Sequence, residues 1–569
     1  MASLLLSLAT IVAKQAKNTF VQKTQNVATT QERFLLTLLR AYQDTELGRQ
    51  LQLSQINSVE AFRQQVPIFP YSAYEPYVER VAGGDRNVLT PDPVIYLNLT
   101  SGSTGKQKLI PVTKRSRRML ARANQVSLGF AAAAAAKRGR SLGKMLMTSS
   151  VQILGHTSGG IEYGPVSVSA VRLSNSIYRQ IFAHPYEALQ VSDSLARHYL
   201  CLLFALRDPN LGMIGATFPV MALRLCDYLE CYAEDLIHDL EMGAIAPWLV
   251  LEPDLRVKLQ RQLSPAPQRA AQLHRMLKTA GRLTPNLAWP DLSLVVTARG
   301  GTSDFYFERF PQYFGNTPIF GGIYASAEAT FGVYHDLDRD GVVLALESGF
   351  YEFVPEDQWG EAQPKTLLPS EVVVGDRYRI LVTSYNGFYR YDNGDVVEVL
   401  GFYNQTPVIV FRHRLGGLLS STTEKTTEFH AIQVMQLLQQ DFNLPLENFC
   451  ITLSEQEVPP HYLVNIELPV GQRLANPQAF LRQFDQRLKE IHVSYEVKRR
   501  DQVPPPRLRI LASGSFDTIR QRLLKRGIPE AQLKFPHINE DRHFLAGLVV
   551  EQEVLMEQEL EVTTSKSLV

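Results

Sequence analysis

The run Thr100 to Lys108, TSGSTGKQK, carries the strongest local chemistry in the sequence. Small residues let backbone N–H groups turn toward one point and surround phosphate oxygens. The hydroxyls of Ser101, Ser103 and Thr104 add donors, and Lys106 and Lys108 add charge. The run is not a P-loop. Only two residues separate Gly102 from Gly105-Lys106, and Gln107 stands where a Ser or Thr must hold magnesium. The plain alternative is a flexible polar loop. A second run, Asp336 to Glu347, DLDRDGVVLALE, meets the calcium-loop pattern in full. A calcium loop needs a helix on each side, and the flanks here are strand-like. Asp-Arg-Asp-Gly is therefore read as a hairpin turn. Two carboxylates are weaker alone. Glu328 closes YASAE after Gly321-Gly322, where a loop glutamate is ordinarily solvated. Asp395 follows Gly394 between strand-like runs, which suits binding of ligand hydroxyls but also a hairpin turn.

Regular elements must position these residues. The apolar run Val94 to Leu97 predicts a buried strand that delivers the chain to the glycine loop, and 113 to 137 predicts a long helix. Before it, 1 to 50 reads as helix, with Phe34, Leu35, Leu38, Leu39 and Tyr42 on one face, and 67 to 93 reads as Pro-bounded loops. Residues 185 to 245 read as helices interrupted by a turn and a strand. Leu292 to Thr297 is a strand, 317 to 400 is mostly strands, and Val408 to Phe411 is one more. The polar run Ser420 to Thr427 after Gly416-Gly417 reads as a hinge. Beyond it come a helix, a hairpin around Pro459-Pro460, a helix at 477 to 491, a strand at 507 to 512 and a helix at 515 to 526.

The whole chain sets bounds on these readings. At 569 residues it has mass for about three to five domains, and a composition 45% hydrophobic and 20% charged excludes a mostly disordered or fibrous protein. Lys plus Arg is 58 against 57 for Asp plus Glu, so charge gives no reason to expect nucleic acid or an anionic membrane as partner. The four cysteines form no CxxC pair and fit reduced thiols in a cytoplasm. The N-terminal MASLLLSLATIVAKQ reads as an amphipathic helix rather than a cleaved signal.

The order of these pieces resembles the adenylate-forming superfamily. Its phosphate loop, T-S-G-[ST]-[ST]-G-x-[PE]-K, is matched at all but Gln107, and its Y-G-x-T-E is similar to Tyr324 to Glu328, with Ala325 and Ala327 as departures. A closer resemblance is to the auxin-responsive (Gretchen Hagen) acyl acid amido synthetases, as a bacterial-type member. It is carried by QDTELGRQL, YEPYVERVAGGDRNVLT, YASAEATFG, FYEFVP, TSYNGFYRYDNGDVVEVLGFYNQTPVIVFRHR, LLSSTTEKTTE and LRILASGSFDTIRQRLLKRGIPEAQLKFPHI, in the family's order. Departures include Asp392-Asn393 for a less acidic pair, Thr422 for Asp, and Pro536-His537 for Pro-Arg.

That resemblance implies an α/β fold. A large N-terminal adenylating domain of sheets and a β-barrel-like unit flanked by helices spans 1 to 415. A hinge follows at 416 to 427, and a smaller mobile α+β domain at 428 to 569. It implies ATP and Mg2+, a small carboxylic acid and an amino acid or other amine as substrates, and acyl-adenylate as intermediate. Thr100, Ser101, Gly102, Ser103, Thr104, Gly105 and Lys108 then hold phosphates. Glu328 holds magnesium or the phosphate it neutralises. Tyr324, with Ala325 and Ser326, lies at the adenine, Asp395 at the ribose, and Arg414 supports the nucleotide from the hinge side. Lys534 is the lysine of the small domain. Arg117, on the helix after the loop, is the candidate acid-binding residue, against a plain surface charge among Lys114, Arg115 and Arg118. Delivery of the acyl group to coenzyme A or a carrier thiol, and a non-catalytic nucleotide-binding relative, are the alternatives.

Overall fold

Apolar periodicity is realised first at the N-terminus, where 1 to 50 forms the helices Ala2–Lys23, Val27–Tyr42 and Glu46–Gln50. Phe34, Leu35, Leu38, Leu39 and Tyr42 are all buried, as their spacing requires. The structure is a computed structural model that describes every residue except 1, 101–107, 173–180, 301–305, 362, 415–416, 423, 500–501, 531–532 and 557–569. The chain divides into two compact units, Met1–Phe411 and Arg412–Val569.

The first unit holds three larger sheets. Strands Met145–Met147, Met213–Gly215, Leu294–Val296 and Ile319–Phe320 pair in parallel, and the first three are joined through helices such as Ser194–Leu206 and Pro267–Ala280. A second sheet runs Leu109–Thr113, Val94–Leu99, Glu162–Gly164, Gly155–His156. The β-rich part read as barrel-like is a seven-stranded ladder with Phe350–Pro355 and Ile323–Ala325 at its ends. The calcium-loop look-alike joins two of its strands, Thr330–Tyr334 and Val342–Leu344, which pair antiparallel. Glu347, the residue that would ligate calcium, instead meets Lys23 at 2.6 Å and Arg122 at 3.6 Å.

One expectation is corrected. Within 67 to 93, read as loop, Tyr71–Ala82 is a helix with Pro76 inside it. Proline removes one amide donor, but Tyr74, Val78, Val81 and Ala82 fall on one face and are buried. Their burial outweighs the missing hydrogen bond.

The central strand Phe388–Tyr403 pairs with Arg377–Ser384, with two irregularities in register. At the first, Arg390 has φ +42°, a left-handed conformation that costs a residue with a Cβ free energy unless its surroundings dictate it. Those surroundings are specific. Arg390 Nε and Nη2 each donate to the buried Glu352 carboxylate at 2.9 Å. Nη1 donates to the carbonyls of Arg63 (2.7 Å) and Val66 (2.8 Å), and Nη2 also to Thr366 Oγ1 (3.3 Å). Every guanidinium N–H therefore has an acceptor.

The second unit is α+β. Its sheet runs Asn448–Leu453, Tyr462–Glu467, Arg507–Leu511, Val550–Val554, with the middle pair parallel. The helices Glu428–Asp441 and Pro477–Ile491 accompany it. The run 416 to 427, read as a hinge, contains the short strand pair Leu418–Leu419 and Thr426–Thr427. Thr422 donates to Glu424 Oε2 through both N–H and hydroxyl at 3.0 Å.

Removing one partner of a buried ion pair leaves the other charge unpaired. Arg390→Ala is expected to destabilise the protein by about 3 to 5 kcal/mol in chemical denaturation. A loss below about 1 kcal/mol, the range of an exposed pair, would contradict the assignment.

Candidate functional site

The glycine loop is held at both ends by a hairpin. Leu99 pairs with Leu109, and Thr100 N–H donates to Lys108 O at 2.9 Å. The residues between, with Ser101, Gly102, Ser103, Thr104 and Gly105, lie outside the described residues. Thr100 Oγ1 is buried and has no hydrogen-bond partner among the described residues. Lys108 Nζ stands 5.2 Å over the ring of Tyr71. Tyr71 clamps the hairpin by donating to Leu109 O (3.0 Å) and accepting from Leu109 N–H (3.1 Å). Burial pushes its phenol up to about 12, and the nearby Glu328 charge adds to the rise. Tyr71 sits in the stretch read as loop, where no local pattern singles it out.

Glu328 is 5% exposed, unlike the solvated loop glutamate that is the ordinary case. Tyr391 donates to its Oε1 at 3.2 Å. Its backbone is tied down as well. Ser384 Oγ donates to Glu328 O, Asn386 Nδ2 donates to Ala327 O, and Glu328 N–H donates to Ser326 Oγ. Ser326 N–H closes the turn on Ala329 O at 2.8 Å. A carboxylate this buried and this fixed cannot swing away to solvent.

Asp395 lies in a bulge rather than in the alternative hairpin turn. Leu381 pairs with Asp392 and Arg379 with Val396, so 393–395 stand opposite one residue. A bulge re-aims side chains, and this one is braced. Asp392 Oδ1 accepts from Gly394 N–H (2.9 Å), Asn393 Oδ1 accepts from Asp395 N–H (3.1 Å), and Arg379 pairs with Asp392 at 3.2 Å. Gly394 takes φ +79°, which a Cβ would resist. Burial pushes the Asp392 carboxyl up, against the pull of Arg379. Asp392-Asn393, a departure from the resembled family, is thus the brace itself. The Asp395 carboxylate accepts from Tyr324 OH at 2.8 Å and from Asn393 Nδ2 at 3.0 Å. Tyr324 stacks on Phe331, ring centroids 4.8 Å apart, while Ala325 beside it is exposed.

Arg117 and Glu328 line one cleft. Its wall includes Met119, Leu120, Val112 and Val166, with Asn98, Ser169, Tyr385 and Asn386 as polar points. Arg115 is held by Asp92 at 2.7 Å, whereas Arg117 makes no hydrogen bond or ion pair among the described residues. Asn98 accepts from Ser169 Oγ at 2.8 Å. Asn98 was not singled out, although a polar residue inside the apolar strand VIYLNL was a signal. A neighbouring cleft shares Met119 and Tyr385 and is lined by Lys23, Arg33, Arg118 and Arg122.

Two expected residues belong to the second unit. Arg414 ends the strand Thr406–Arg414. Lys534 is exposed between the buried Leu533 and Phe535. Among the described residues no group of three or more His, Cys, Asp and Glu side chains is placed to hold a metal, and no helix is long and apolar enough to cross a membrane.

Family models for the GH3 family N-terminal, central and C-terminal domains match residues 16–319, 342–414 and 429–543. A probable indole-3-acetic acid-amido synthetase, GH3.1 of Arabidopsis thaliana, is 26% identical over 544 residues, which cover 90% of each chain. The solved structure of AtGH3.15 acyl acid amido synthetase in complex with 2,4-DB aligns at TM-score 0.84 and 22% identity, over 96% of this chain and 97% of that one. A 2-hydroxyisobutyryl-CoA ligase in the postadenylation state with 2-HIB-AMP aligns at TM-score 0.53 and 12% identity, over 97% and 92%. The two structures establish the mixed α/β fold with its large first and smaller second part. The expectation of a bacterial-type member gains no support from these matches.

Asp395→Ala removes the acceptor of Tyr324 along with the carboxylate. It is expected to weaken ATP binding by about ten- to a hundredfold, the worth of a hydrogen bond to a charged group, and acid binding much less. Equal ATP affinity in calorimetry would contradict this.

Proposed function

The chain belongs to the GH3 family, and from that premise we propose how its residues serve ATP-dependent amide formation. In the first half-reaction a carboxylate oxygen of the acid attacks the α-phosphorus of ATP, and pyrophosphate leaves. In the second, an amine nitrogen attacks the acyl carbonyl, AMP leaves, and the nitrogen loses a proton. The amine is an amino acid, as the name of a Nicotiana attenuata relative, jasmonoyl--L-amino acid synthetase JAR4, states for that protein.

The observation that carries this reading is the shared cleft. A fixed buried carboxylate, Glu328, and a guanidinium with no partner among the described residues, Arg117, line one cleft whose wall mixes apolar side chains with serine, threonine and asparagine side chains. A small acid suits it, with its body on Val112, Met119 and Leu120 and a polar or anionic group on Arg117. Thr100 and Lys108 serve the phosphates, and the orphaned Thr100 hydroxyl is a donor suited to a phosphate oxygen. Tyr324 and Asp395 serve the adenosine. Arg414 supports the nucleotide from the hinge side.

Magnesium suits Glu328, since that ion is commonly held by one or two carboxylates plus substrate phosphates rather than by an all-protein cage. When bound it neutralises phosphate charge. We assign 416 to 427 as the hinge between domains 1 to 415 and 428 to 569, Lys534 to the adenylation half-reaction, and the cytoplasm as location.

The test is pyrophosphate release across a panel of carboxylic acids, with an amino acid, coenzyme A or no acceptor. Acid-dependent pyrophosphate and AMP, with an amide formed only when an amino acid is present, are expected. ADP with inorganic phosphate, or a thioester with coenzyme A, would overturn the reading. A compact ammonium that stabilises developing charge acts on rate rather than on ATP affinity. Lys534→Ala is therefore expected to slow acyl-adenylate formation roughly 100-fold or more while leaving the amide step from synthetic acyl-adenylate unchanged. Equal slowing of both steps, or of neither, would contradict the assignment.

A further inference from the structure

Glu428 is a half-buried carboxylate that none of the roles above uses. It is the first residue of the helix Glu428–Asp441, behind a capping box in which Thr427 accepts from His430 N–H. A carboxylate in a helix's first turn is favoured by the dipole. Its second partner lies 109 residues along the chain: His537 N–H donates to Glu428 Oε1 at 2.7 Å.

His537 ends the segment that begins at Lys534. Its ring is fully buried and stacks on Phe449, with centroids 4.3 Å apart and planes 6° from parallel. Ring Nδ1 lies 3.1 Å from Phe449 O. Its backbone is laid along the strand Asn448–Leu453, since Ile451 N–H donates to His537 O (2.9 Å) and Asn539 N–H donates to Ile451 O (3.0 Å). Leu533 and Phe535 are buried on either side of Lys534, and Phe535 meets Phe516 edge-on at 5.8 Å. Lys534 is thus the exposed residue of a segment clamped on both sides, and the carboxylate at its far end is Glu428.

We propose that Glu428 is the positioning residue for Lys534: ionised, it grips the Lys534–His537 segment and attracts the ammonium, and protonated it holds the lysine less firmly. This rests on the reading of Lys534 as the adenylation lysine. Among the described residues, the titratable groups that act on Glu428 are the Lys534 ammonium and the Cys450 thiol, while His537 meets it through its backbone N–H. Burial pushes the Glu428 carboxyl up to about 7, against His537 N–H and Lys534, which both favour the ionised form. Burial raises the Cys450 thiol well above its usual value, and the Glu428 charge adds to that, so the thiol stays neutral there. The carboxylate therefore changes charge near neutral pH, and the grip on Lys534 strengthens as pH rises through about 7.

The test compares wild type, Glu428→Gln and Lys534→Ala, with the two half-reactions assayed separately from pH 5.5 to 8.5. Glutamine keeps an acceptor for His537 N–H but carries no charge. In wild type, adenylation is expected to rise through about pH 7. In Glu428→Gln that rise is expected to vanish, leaving a rate about tenfold below wild type at pH 8 and converging on it as pH falls to 5.5, with the KM for ATP and the amide step unchanged. Lys534→Ala should lack the same rise. If Lys534→Ala adenylates normally, the underlying reading of the lysine fails. If it is slow but Glu428→Gln keeps the wild-type profile, the positioning role alone fails.

A second readout needs no activity. Because folding raises the Glu428 pKa, its stabilising effect is complete below the unfolded value and is lost as pH rises through about 7. Glu428→Gln, which mimics the protonated form, is therefore expected to melt above wild type at pH 8 and level with it near pH 5. No difference at pH 8 would show that folding does not shift this carboxyl, and would overturn the proposal.

Discussion

The buried pairing of Arg390 with Glu352 is the interaction on which the first unit's site depends. It joins four parts of the unit, because the guanidinium also binds the carbonyls of Arg63 and Val66 and the hydroxyl of Thr366. Its own backbone is held at a φ that free arginine avoids. The next residue, Tyr391, is the donor to Glu328, and five positions on stands Asp395, the acceptor of Tyr324. One strand therefore carries the clamp and both contacts that fix the candidate site. A buried ion pair is weak evidence for net stability, but it specifies geometry when every donor is satisfied.

The same logic runs outward. Tyrosine hydroxyls brace the site's two carboxylates, and each ring is packed: Tyr324 against Phe331, Tyr391 against Phe388 at 5.0 Å. Tyr71 plays the corresponding part at the hairpin that delivers the glycine loop. Such groups lose little conformational freedom on folding, so the site is preorganised before any ligand arrives.

Much of this was legible in the residues. The apolar face Phe34 to Tyr42 and the strand Val94 to Leu97 are periodic, and the hairpin nature of Asp336 to Glu347 followed from its strand-like flanks rather than from its matching pattern. Other parts were not. Pro67, Pro70 and Pro76 hid the helix Tyr71–Ala82, whose burial pattern overrides the missing donor. The three-against-one bulge at 393–395 depends on the register of a neighbouring strand, which no local pattern encodes. Arg117 in its basic run looked equally like a surface charge, and only the cleft separates it from the Asp92-bound Arg115. The interior part of the glycine loop lies outside the described residues, so its role rests on its two ends.

The central claim is that the Arg390–Glu352 pair aims the site and does not merely add stability. The direct measurement is ATP–pyrophosphate exchange, beside chemical denaturation, in the double variant Arg390→Met/Glu352→Leu. Replacing a buried pair by apolar residues of similar volume is often neutral or stabilising, but here the carbonyls of Arg63 and Val66 lose their donor, so the variant should fold with a midpoint below wild type. Exchange in the folded variant should fall roughly a hundredfold, the cost of misplacing catalytic groups by about 1 Å. Wild-type exchange in the folded variant would contradict the account.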